Sequence, residues 1–250
     1  SDVRLFDGQT RSYGIMELLN ARSLDSDETV SLVLTVNLDL KTRQQFFSDV
    51  NDNATKPPAA ISMAYNESSE VNQLAMHVSQ NITGMGPFVD YEHNVVPASS
   101  PLLISFKALT DATRKMMGLR LNDAVTDQHK HDAVLLWQAW ATRLQWADLL
   151  QDEAIIDYRK TGIALHGVMI KAIGIATGQL LESESVEHAT DIITNASLNL
   201  MTDFSHVKWR GICVDAASGA VQSSSRAQLA AAARLMELLL PISQDEDNPD

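Results

Sequence analysis

The sequence predicts a mainly α-helical protein: a multi-helix, bundle-like globular domain with one small β element near its N-terminus. Three observations predict it. Ala133, Leu136, Trp137, Trp140, Ala141, Leu144 and Ala147 recur at helical spacing, with Gln138, Thr142 and Gln145 lying off that stripe. An apolar segment with four glycines fills 162–181, and an Ala/Leu-rich run fills 225–240 before Pro241. Strict period-two alternation is confined to "ETVSLVLTVNLDL" at 28–40, where Val30, Leu32, Leu34, Val36, Leu38 and Leu40 share one face.

From the N-terminus, "DVRLF" offers a partner strand for 28–40, and "SYGIMELLNAR" at 12–22 a short helix. "KTRQQFFSDVND" reads as a helix that stops before Pro57 and Pro58. A broken apolar stripe runs through 59–81. The turn-rich segment 84–101 has no period and marks a loop or subdomain boundary. Helical patterns then occupy 102–117, the tryptophan segment from about 132, 151–181, 185–204 and 225–240, the last with Ser225 as its N-cap. The expected organisation is an N-terminal β/α portion (1–83), the boundary (84–101), a helical core (102–243) and an acidic disordered tail (244–250).

Composition narrows the function classes. At 250 residues, 45% hydrophobic and 20% charged, the chain can bury a large core without covalent staples. A net charge of −13 argues against nucleic acid and against anionic membranes as partners; "HVKWRG" at 206–211 is the densest basic stretch. The segment 162–181 approaches the length of a membrane span, but His166 and Lys171 interrupt it, so a buried central helix is expected. The single cysteine, Cys213, favours a reducing, cytoplasmic compartment, while sequons at Asn53, Asn66, Asn81 and Asn195 keep a secreted or periplasmic alternative open.

"TDQHKHDAVLLWQAWATRLQW" at 126–146 carries the densest chemistry-bearing cluster. On a strand Asp127, His129 and His131 would share one side and could hold a metal. On a helix a two-residue step turns about 200°, which separates the two rings. The periodicity that follows selects the helix, with Asp127 and Asp132 near its positive end. A second cluster, Glu184, His188 and Asp191, would share one helix face and is the candidate metal set. Candidate ligand-binding residues are His166 and Lys171, each set in apolar surroundings, with Trp137 and Trp140, joined by Trp146, as an aromatic wall. Gly167, Gly174 and Gly178 fall near one face and would admit another backbone closely.

The chain has no Gly-x-Gly-x-x-Gly, Walker loop, Gly-x-Ser-x-Gly, His-Glu-x-x-His or cysteine pair, so no cofactor is implied and no catalytic residue is assigned. Cys213 reads as a core residue. "DVRL", "SYG" (12–14) and "DETVSLVLTV" (27–36) resemble fragments of the plant ribosome-inactivating RNA N-glycosidases. That resemblance covers about a tenth of the chain and implies a hydrolase of that type. The family's Glu-Ala-Ala-Arg helix has no counterpart here: "VLLWQ" continues into "AWATRLQW". The expected function is a non-catalytic helical binding or assembly module, engaging a protein partner, itself or a small ligand between helices. The alternatives are an extracytoplasmic ligand-sensing domain or the hydrolase.

Overall fold

The computed structural model describes residues 9–20, 39, 42, 59–64, 66, 69–83, 85–151 and 154–240. The predicted strand 28–40, its partner at "DVRLF", the helix at "KTRQQFFSDVND" and the acidic tail fall outside these residues, apart from the single positions 39 and 42. The chain divides into two compact units, Ser1–Lys56 and Pro57–Asp250. In the first unit the described element is α1 (Gln9–Asn20), which contains most of the helix expected at 12–22.

The second unit is helical. It contains α2 (Ala59–Ala64), α3 (Glu70–Asn81), α4 (Phe106–Met116), α5 (Asp127–Arg143) and α6 (Trp146–Gln151). These are followed by α7 (Ile155–Thr161), α8 (Gly167–Leu180), α9 (Val186–Asn195), α10 (Leu200–Asp203) and α11 (Ser225–Leu239). Its one described sheet is a parallel pair, β1 (Val89–Asp90) and β2 (Ile104–Ser105), in register Val89 to Ile104. The mainly α fold class read from the sequence is the observed one.

Hydroxyl caps fix the helix starts. Ser69 accepts from Asn72 N at α3, Ser105 from Ala108 N at α4, and Ser185 from His188 N at α9. Ser224, not Ser225, caps α11 by accepting from Ala227 N. The stripe over 59–81 is two helices because Ser69 restarts the chain. The segment 151–181 is likewise broken, into α7 and α8, by an extended Gly162 and an extended His166. Since α8 has only 14 residues, it is too short to cross a bilayer, and no helix among the described residues is long and apolar enough to do so.

At the centre, α8 lies between α4 and α11, and α5 packs on α9 and α3. The three predicted glycines make the first contact possible. Gly167 faces Ala108, Gly174 faces Ala112 and Gly178 faces Lys115, so the two helices run in the same direction. A Cβ on Gly174 would lie 2.6 Å from Ala112 Cα, and one on Gly178 would lie 2.7 Å from the Lys115 carbonyl oxygen. Backbone cannot yield as a side-chain tip can. Gly174→Ala is therefore expected to lower stability by about 1–3 kcal/mol, as for other overpacked cores. Urea denaturation checks this; an unchanged midpoint would show that the helices separate without cost.

Candidate functional site

Trp137 and Trp140 are fully buried, and their polar edges are used internally. The Trp137 indole N–H donates to Thr113 Oγ1 of α4 at 2.9 Å, and that of Trp140 donates to Thr177 Oγ1 of α8 at the same distance. Two indoles thus tie α5 to both members of the glycine pair. Trp137 also stacks on Trp146, with ring centroids 6.1 Å apart. Near Trp146 a half-open cavity of about 310 Å³ is lined by Ile82, Met85, Leu103, Gln138, Thr142 and Leu150 among others. Trp140 is not among its lining residues.

The cluster at 126–132 begins a helix. Thr126 Oγ1 accepts from His129 N at 3.1 Å, and His129 Nδ1 accepts from Thr126 N at 3.2 Å, a reciprocal cap. Asp127 pairs with Lys130, whose hydrogen bond and charge lower its pKa. One turn of the second cluster does come together: Glu184 Oε2 lies 2.6 Å from His188 Nδ1. Asp191 adds no third ligand, and among the described residues no group of three His, Cys, Asp or Glu side chains could hold a metal.

His166 is the first extended residue before α8. Its Nε2 lies 3.1 Å from the Arg159 carbonyl oxygen, which makes that nitrogen the donor, and its ring meets the His206 ring edge-on at 5.3 Å. The adjoining cavity, which His166 and Arg159 line, is only about 30 Å³, room for a water-sized guest. Burial lowers the pKa of His166 against the raising effect of its bond to the Arg159 carbonyl, with a smaller lowering from the His206 and Arg159 charges, and burial likewise lowers that of His206 against a raising backbone hydrogen bond. Cys213 is buried and its thiol is pushed up to about 11, so it is no nucleophile at neutral pH.

Sequence reading missed the arginines. Arg159, 5% exposed, donates through Nη1 to the Ser100 carbonyl at 2.7 Å and through Nη2 to those of Leu102 and Leu103. It thereby fastens the loop 97–103 beside the β pair. Arg143 does the same for the linker after α9, donating to the Ala196 and Leu198 carbonyls. No signal in the sequence pointed to them, because each reaches carbonyls more than fifty residues away. Lys171, predicted from its apolar setting, meets Asp111 at 2.9 Å.

The fold and this interior define a mainly α protein in which Arg143, Arg159 and the buried indoles of Trp137 and Trp140 brace helices and loops. A family model described as DndB, DNA-sulfur modification-associated, matches residues 1–240, and the chain belongs to that family. Comparison with curated proteins and with solved structures gives no match. The match spans the fragments that resembled RNA N-glycosidases and places them in a different family. It also removes the support for excluding nucleic acid as a partner. Net charge is a global average, whereas 206–234 carries four Lys/Arg against one Asp.

Two outcomes follow. Thr177→Val leaves the Trp140 N–H buried without its acceptor and is expected to cost about 1–3 kcal/mol in urea denaturation; no loss would show that the bond is dispensable. Because both histidines resist protonation when folded, the unfolded chain binds more protons once the pH drops below the ordinary histidine value of 6.5. Their contribution to stability is complete above that value and declines as the pH falls through their lowered values. The urea midpoint should therefore fall on acidification from neutral pH, less steeply in His166→Gln; identical slopes would remove the pair as its source.

Proposed function

We propose that this protein serves a DNA-sulfur modification system, one that installs phosphorothioate linkages, as a non-catalytic helical binding or assembly module. The observation that carries the reading is the family match across residues 1–240. The interior supports it: Trp137, Trp140, Arg143 and Arg159 are committed to structural bonds, and Cys213 is a protonated buried thiol. Its partner is another protein of the same system. A multi-step modification needs components held together, and a rigid helical body is suited to that role.

A second reading, direct contact with DNA, is favoured by Lys208, Arg210 and Arg226, which are exposed and take no part in the ion pairs among the described residues. Phosphate neutralisation needs such cations.

Deleting the gene in a host with this modification should change the phosphorothioate content of its DNA, read by mass spectrometry of nuclease digests. Glu184→Gln, His188→Ala and His166→Gln variants that fold as the wild type does should restore it fully. Loss of restoration in any of these folded variants would point to chemistry at that side chain and overturn the non-catalytic reading.

A further inference from the structure

We propose that Lys107, Lys115 and Lys171 form a binding site for a phosphate group where α4 and α8 meet. The proposal adds a ligand class to the module reading and does not depend on the protein-partner reading. Lys107, Asp111 and Lys115 follow one another at steps of four on α4, so they share a face. Lys171 reaches the same place from α8, because the glycine contact brings the two helices close.

Two ammonium groups converge on one oxygen: Asp111 Oδ2 lies 3.2 Å from Lys107 Nζ and 2.9 Å from Lys171 Nζ. Lys115 Nζ donates to the neutral Gln228 Oε1 of α11 at 3.3 Å. The charges acting on Lys115 are Lys171 and Arg114, which lower its pKa along with burial, and Asp111, which raises it. Two ammonium groups therefore share a single carboxylate, and a third, Lys115, stands one helical turn along the same face on a neutral acceptor. Other described lysine pairs in this acidic chain are one-to-one, Lys130 with Asp127 and Lys160 with Asp157.

The excess is not dissipated by water as it would be on an open surface. Lys107 is 31% exposed, and Lys171 and Asp111 are 22% exposed. At such sites like-charge repulsion is several-fold stronger than in bulk water. A tetrahedral oxyanion presents several oxygens to several donors at once and cancels the excess positive charge. Lysines recognise phosphate as point charges in this way. The phosphate group comes either as a free anion or from a DNA backbone.

Calorimetric titration of the full chain with inorganic phosphate, at constant ionic strength set by sodium chloride, should show saturable binding. Lys115→Gln and Lys171→Gln should each weaken it about tenfold, the usual effect of losing a charged hydrogen bond. Asp111→Asn should tighten it, since a competing carboxylate is removed; a merely structural cluster would not respond with that sign. Should a lysine variant fail to fold by circular dichroism, Lys107→Gln carries the same test. Anisotropy of a short labelled DNA duplex separates the sources. Duplex binding lost in the lysine variants assigns the phosphate to DNA, and saturable phosphate binding with no duplex binding assigns it to a free anion. No phosphate effect beyond that of chloride, or lysine variants that bind phosphate as the wild type does, would overturn the site.

Discussion

The close parallel contact of α4 with α8 is the constraint on which the rest of this unit depends. Gly174 and Gly178 leave no side chain between the two backbones, so Ala112 and the Lys115 carbonyl sit where Cβ atoms would otherwise be. Such proximity fixes the positions of Thr113 and Thr177, and these supply the acceptors for Trp137 and Trp140. It also brings Lys171 beside Asp111. Widening the crossing would strand two buried indole donors and separate an ion cluster, and each of those losses carries its own free-energy cost.

Outside that contact, long cationic side chains do the work that regular secondary structure does elsewhere. Buried carbonyls in a loop need donors. Arg159 supplies them to 97–103, and Arg143 supplies them at 196–198. Burial lowers the pKa of Arg159 and the nearby Asp90 charge opposes this in part; a guanidinium stays protonated in proteins and keeps its donors. Connections without helix or strand are held in this way, as stretches of chain strapped to helices α5 and α7.

What could be read in the sequence was periodic or local. The helical run through Trp137 and Trp140 and the glycine face of 162–181 follow from spacing, and the serine-led start of the last helix was read one residue late, at Ser225 for Ser224. The reciprocal cap of Thr126 and His129 resolves the histidine cluster in the direction that a helix requires. What could not be read was which face meets which partner. Nothing in the spacing of Arg143 or Arg159 says that each reaches a loop more than fifty residues away, or that Lys171 meets Asp111 of α4. Gly162 and His166 break an apolar segment that hydropathy alone joins, because hydropathy carries no information on backbone extension. Charge was uninformative for a related reason: a chain-wide total of −13 says nothing of a local stretch such as 206–234, with four Lys/Arg against one Asp.

Membership of a family associated with DNA-sulfur modification gives this architecture its setting. The assembly role and the phosphate site proposed above both rest on this core of braced helices. The central claim is that α4, α5 and α8 stand or fall as one unit. Native-state hydrogen exchange tests it most directly. The slowest amides of all three helices should share one opening free energy, equal to that of global unfolding. Exchange of α8 through a separate, lower-energy opening while α4 and α5 stay protected would contradict it.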